Sequence, residues 1–269
     1  MALARLDNEV FFKKAFTDRI VFKAFVKDII GIEVEPDKIE TEKAFQPKLG
    51  NINFKYDIFA EDSKKRIVIE IQKVEYDHNF DRFLHYHLQA ITEQQRSSDD
   101  YSVEKTVYTT VMMTAPYKIN EKTREFYRDE VLISSLNPKN LKGIERKIFN
   151  WAAPRHELVY LNPNYKGADT PQNYRDWLDL VYESIHNPEN PNINFQNAGV
   201  KRATEIVSYD NISPEEWEEA KIEVGRRKVI KLSIEEREME IAKNAIQEGA
   251  SDDFIAKITG LSLEQIQQS

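Results

Sequence analysis

Lys55-Tyr56-Asp57-Ile58-Phe59-Ala60-Glu61-Asp62-Ser63-Lys64-Lys65-Arg66-Ile67-Val68-Ile69-Glu70-Ile71-Gln72 is the stretch whose reading decides the fold. β-Branched residues dominate its second half and a short polar run divides it, so it reads as two strands joined by a tight turn. With Ser63-Lys64 as a two-residue loop, Asp57 faces Glu70, Lys55 faces Gln72 and Phe59 faces Val68. The opposite face then carries Tyr56, Ile58, Ala60, Ile67, Ile69 and Ile71, an apolar surface for a core. A slip of one residue would part the two carboxylates and break that pattern. The expected outcome is two carboxylates side by side, with the Gln72 amide one strand step further on the same face.

A carboxylate within such an apolar segment is costly unless a charge meets it. A hard divalent cation such as magnesium would serve, because it takes oxygen ligands and commonly sits on one or two carboxylates plus waters and phosphate. Held there, it would activate water and neutralise charge on a phosphodiester. The plainer reading is a sheet-edge Asp and Glu turned to solvent beside Lys55 or Lys65. The Val and Phe that share the face of Glu70 weigh against it.

Asp57, then a turn, then Glu70-Ile71-Gln72 resembles the signature of the PD-(D/E)XK nuclease superfamily. More closely, the chain resembles the recombination-promoting nuclease and putative transposase family, in which Gln commonly replaces the signature Lys. Glu9-Val10-Phe11-Phe12-Lys13-Lys14-Ala15-Phe16 is similar to that family's opening helix. Glu240 to Ala250, followed by Ile255 to Ser262, looks like its usual tail. The resemblance covers most of the chain. It implies a restriction-endonuclease-like fold and magnesium- or manganese-dependent cleavage of DNA. It also implies that Asp57, Glu70 and the Ile71 carbonyl ligate the metal, with Glu9 reaching it through water.

Each supporting residue has a second reading. Glu9 is equally well an ordinary acidic residue at a helix start. Gln72 can position water but cannot act as a base at ordinary pH. Lys73 points to the other face from Gln72. Lys55, expected opposite Gln72, is the candidate for the missing positive charge; its alternative is a solvent-facing strand lysine. In a helix expected over about Asn79 to Arg96, Arg82 and Tyr86 lie one turn apart and are candidates for holding a phosphate. Their alternatives are a surface ion pair and a half-buried tyrosine.

The chain has 269 residues, 31% charged and 41% hydrophobic, which suits a globular protein. No apolar run reaches membrane-spanning length, and the first residues lack a signal peptide's apolar core, so no membrane partner is expected. The absence of cysteine is compatible with a cytoplasmic location. A net charge of −8 argues mildly against nucleic acid, so DNA contact would rest on local patches. Lys13-Lys14, Lys64-Lys65-Arg66 and Arg226-Arg227-Lys228 are candidates.

Helices are expected over residues 7–31 and Gln172 to Ile185, and strands at Lys105 to Met113, Glu130 to Ser134 and Glu157 to Leu161. This alternation gives an α/β (α+β) fold, a mixed sheet flanked by helices, with a helical C-terminal extension. Asn187-Pro188-Glu189-Asn190-Pro191-Asn192 marks a boundary. The expected organisation is a nuclease-like domain over 1–187, a linker over 188–212 and a helical tail over 213–269. Ser213-Pro214-Glu215-Glu216 starts that tail as a capped helix. The end resembles a small helix-turn-helix, better suited to packing or a homo-oligomer contact than to reading DNA. Two rivals to the nuclease remain: a catalytically weak nuclease-fold module binding DNA or protein, and a regulator reading DNA through residues 251–269.

Overall fold

The computed structural model describes residues 2–45, 54–73, 80–95, 103–116, 144–149, 156–168, 170–259, 261 and 265–266. Its elements are α1 (Glu9–Phe16), α2 (Arg19–Ile30), β1 (Lys38–Phe45), β2 (Phe54–Glu61), β3 (Lys65–Gln72), α3 (Phe80–Thr92), β4 (Thr106–Met113), β5 (Ile144–Phe149), β6 (His156–Leu161), α4 (Gln172–His186), α5 (Ala198–Ile206), α6 (Pro214–Gln247) and α7 (Asp252–Thr259). The strands form one mixed sheet in the order β1-β2-β3-β4-β6-β5, with β3, β4 and β6 parallel. The class is α/β, as the alternation of elements predicts. The strand expected at Glu130 to Ser134 lies outside the described residues.

The β2–β3 hairpin adopts the expected register, with Phe59 opposite Val68 and Glu61 opposite Arg66. The loop lacks the usual Asn-Gly, and Asp62 substitutes for it. Its carboxylate accepts the N–H groups of Lys64 and Lys65, both at 2.8 Å, which folds the turn on itself. Arg66 then crosses to α3, where it meets Glu93 at 2.7 Å while also pairing with Glu61.

One expectation fails. Strict alternation puts Tyr56 on the face opposite Phe59, yet both lie in one core cluster with Val68, Tyr86, Ala90, Ile91 and Val107. The neighbouring edge strand is irregular at the same level. The β1–β2 ladder pairs Thr41 with Ile58 and Lys43 with Tyr56 but skips the position where Glu42 would meet Asp57. Glu42 has φ of 56°, a left-handed conformation uncommon for a residue with a Cβ. The register is the same on both sides of that position.

Helices α1 and α2 are separate because Asp18 caps the second, accepting from the N–H groups of Ile20 and Val21. Phe16, Phe25 and Trp177 interlock through tilted and edge-on ring contacts. The indole N–H of Trp177 donates to Asp28 at 2.8 Å, and Asn197 reaches the same oxygen at 2.9 Å. This binds α2, α4 and the start of α5 into one layer. Residues 188–212 are therefore not a linker: Val200 and Ala203 of α5 are buried, and the Tyr209 N–H bonds to the Ala2 carbonyl. The Pro/Asn run was a surface turn. The chain divides instead into a unit of Met1–Ser213 and a unit of Pro214–Ser269.

In the second unit, α6 begins at Pro214 as expected and runs 34 residues. Ala242, Ile255, Leu261 and Ile266 pack together at its end. No helix among the described residues is long and apolar enough to cross a membrane.

Gly199 marks the tightest approach of α5 to α2. A Cβ there would lie 2.3 Å from the Ala24 methyl and 3.0 Å from the Trp177 ring. Gly199→Ala is expected to destabilise the first unit by about 1–3 kcal/mol through overpacking. Urea denaturation would read this as a lower midpoint at unchanged slope. An unchanged midpoint would contradict the packing described.

Candidate metal centre

The hairpin ladder stops at Ile58 and Ile69, one pair short of Asp57 and Glu70. Beyond it the two acidic side chains take over the role of the backbone. The Asp57 carboxylate accepts the Ile71 N–H at 2.9 Å, and the Glu70 carboxylate accepts the Asp57 N–H at 3.3 Å. Each thus satisfies a donor on the opposing strand. Glu70 is 3% exposed, in a strand that also pairs with β4 through Val111.

Burial pushes the Asp57 carboxyl above its ordinary value; the Ile71 N–H and Lys13 offset part of this. Glu70 is raised well above its ordinary value, first by burial and then by the charge of Asp57. Two carboxylates with one long hydrogen bond to the deeper of them are a poor resting place for negative charge. The donors are all oxygen and an added positive charge would relieve both, so these residues fit a hard divalent cation.

Glu9 lies beside Asp57, in a group that does not include Glu70. It opens α1 behind the N-cap Asn8, whose side chain accepts the Val10 N–H. Asp7 at the same end meets Lys73 at 3.1 Å and Arg5 at 2.9 Å, fixing the helix start against the end of β3. One carboxylate oxygen from each of Glu9, Glu42 and Asp57 lies within 4.8 Å of the others. Glu42 is a candidate ligand that sequence reading missed. Strand β1, Lys-Ile-Glu-Thr-Glu-Lys-Ala-Phe, has no apolar alternation to reveal it, and no residue type announces the left-handed backbone that puts Glu42 opposite Asp57.

Lys13, one helical turn after Glu9, forms ion pairs with Glu9 and Glu42 and lies 3.7 Å from Asp57. It too was missed, having been read only as half of a basic patch. Lys55 does not stand opposite Gln72, because the ladder has already ended; it is exposed and pairs with Glu42. Gln72 is placed by β4, its carbonyl accepting the Thr114 N–H at 2.9 Å. Ile71 meets Asp57 through its N–H. Arg82 donates to the Tyr86 hydroxyl at 3.0 Å, and its charge acts on both Asp57 and Glu70. Tyr86 is buried, and its carbonyl accepts the Tyr56 hydroxyl.

No protein-family model, curated protein or solved structure matches this chain.

His87 and His156 belong to the core rather than to this centre. His85 is exposed and His87 buried, so they diverge as their spacing predicts. His156 accepts the Val107 N–H through Nδ1. His87 Nδ1 lies 2.9 Å from the Thr109 hydroxyl, and burial, with His156 nearby, lowers its pKa from 6.5 to about 3. Between those values the unfolded chain takes up a proton that the folded protein refuses. Stability is thus fully present above the unfolded value of 6.5 and is lost as pH falls toward about 3. Urea midpoints measured between pH 7 and pH 4 should fall less steeply for His87→Leu than for wild type. Parallel profiles would show that His87 is not the buried neutral group described.

Proposed function

We propose that the first unit is a metal-dependent endonuclease that hydrolyses phosphodiester bonds in DNA, of the recombination-promoting nuclease type. The observation that carries this reading is the buried Glu70 beside the half-buried Asp57 at the open end of the hairpin, with Glu9 and Glu42 gathered beside Asp57. A magnesium or manganese ion held by these carboxylates would supply an activated water and charge neutralisation at the phosphate. Asp57 and Glu70 would hold the ion, Glu9 and Glu42 beside Asp57 would add oxygen donors, and the Gln72 amide would orient water. Arg82, steadied by the Tyr86 hydroxyl, is the nearest described guanidinium for a DNA phosphate. Hydrolysis is the chemistry this reading requires; strand transfer, despite the family's transposase label, is not part of it.

A second reading has its own support. Gln72 offers no base, the net charge is −8, and Arg66 of one basic patch is committed to Glu61 and Glu93. Those features favour a catalytically weak nuclease-fold module that binds DNA or a protein partner. For the second unit, the proposal is self-association. Ile222, Val229 and Leu232 are exposed along α6, and basic Lys221, Arg226 and Lys228 precede acidic Glu236, Glu238 and Glu240. An antiparallel pair of α6 helices would set each basic stretch against an acidic one.

Nicking of supercoiled plasmid in magnesium or manganese separates the readings. The expected result is metal-dependent nicking by wild type, reduced more than about 100-fold in Asp57→Ala and in Glu70→Ala. Nicking that survives both substitutions would remove the site. No nicking of any DNA form by wild type would favour the binding module.

A further inference from the structure

We propose that Lys13 is the resident counter-cation of this centre, and that an incoming divalent ion displaces it. The inference rests on the metal-binding reading above and adds a regulation of that site.

Three carboxylates gathered within 4.8 Å repel one another unless a positive charge lies among them. Lys13 provides it. Its ammonium pairs with Glu9 from the same helix and Glu42 from β1, and lies 3.7 Å from Asp57 of β2. It thus spans three elements, and its side chain is only 13% exposed. Neighbouring Lys14 turns away and donates to the Asn211 carbonyl at 2.6 Å, so the placement is specific to Lys13. Lys55 also reaches Glu42 but is 58% exposed and touches the rim alone.

An ammonium and a divalent ion cannot share this space, since both seek the same oxygens and repel each other. A lysine is suited to yielding: it is a compact charge on a flexible four-carbon stem. Metal entry therefore requires Lys13 to leave Glu42 and Asp57, and metal affinity is weaker than the carboxylates alone would give. The arrangement keeps the cluster assembled before the ion arrives. Lys13 is a positioning residue in this account, acting through Glu9, Glu42 and Asp57.

Two measurements test it on the full chain. The first is the dissociation constant for Mn²⁺, by titration calorimetry, for wild type, Lys13→Met, Lys13→Arg and Asp57→Ala. Lys13→Met should bind Mn²⁺ about tenfold more tightly, while Lys13→Arg stays near wild type. The second needs no substitution and so survives a failure of Lys13→Met to fold. Acylation of lysines by an amine-reactive ester, followed by mass spectrometry, should show Lys13 protected without metal and labelled faster with Mn²⁺, relative to Lys14. Equal or weaker Mn²⁺ binding by Lys13→Met, or labelling of Lys13 that ignores Mn²⁺, overturns the role of Lys13 while leaving the metal site standing. Absence of Mn²⁺ binding by wild type, or binding that survives Asp57→Ala, overturns the metal reading and this inference with it.

Discussion

Glu70 is held almost out of water at the end of a strand that is paired on both sides of the sheet, next to a second carboxylate on β2. Removing a carboxylate from water costs about several kcal/mol even after the surroundings relax. Here the return is one backbone donor for each side chain, and for Glu70 a long contact of 3.3 Å. That imbalance organises the region around it. The ladder gives way at Asp57, β1 takes a left-handed residue at Glu42, and α1 brings Glu9 and, one turn later, Lys13 to the gap. Arg82 adds positive charge from α3. A fold tuned for stability alone would place valine or isoleucine at position 70, as it does at the preceding positions of the same strand.

Positive charge is unevenly spent in this molecule. Arg66 is consumed by structure, stacked over Phe45 and Phe59 and paired with two glutamates. Lys73 and Arg5 fix Asp7 beside the helix start. Lys13 and Lys55 answer the acidic cluster. The acidic cluster thus carries its own lysine counter-charges in a protein of net charge −8. Loaded with a divalent ion, the same patch would present a weaker field to a phosphodiester.

The hairpin register was legible because apolar residues at 58, 60, 67 and 69 allow only one phase, and Asp62 supplies the turn its chemistry. The central place of β4 followed from its β-branched run, and Trp177, Leu180 and Val181 of α4 turn inward as their spacing requires. What stayed hidden has a common cause. β1 and β5 are edge strands, Lys38–Phe45 and Ile144–Phe149, whose charged residues mask any alternation. Without β1, Glu42 had no position to occupy. The segment over 188–212 looked like a linker because its prolines and asparagines stand at a surface turn, while the burial of α5 depends on Gly199 and Val200 meeting a distant helix. Tyr56 joins Phe59 in one cluster against strict alternation, which residue types alone do not signal. Asp57 and Glu70 could be paired from sequence; the lysine and the third carboxylate beside Asp57 required the tertiary structure.

Under the proposed function, the Glu70 carboxyl is buried to meet a cation rather than to serve the fold. Thermal unfolding of wild type and Glu70→Gln, each with chelator and with Mn²⁺, tests it most directly. In chelator, the neutral isostere should be as stable as wild type or more so, since it removes a buried charge. Mn²⁺ should stabilise wild type, by about 2.7 kcal/mol at a hundred times its dissociation constant, and should leave Glu70→Gln unmoved. A Glu70→Gln protein that is markedly less stable in chelator, with wild type indifferent to Mn²⁺, would show that the carboxylate serves the fold and would contradict the account.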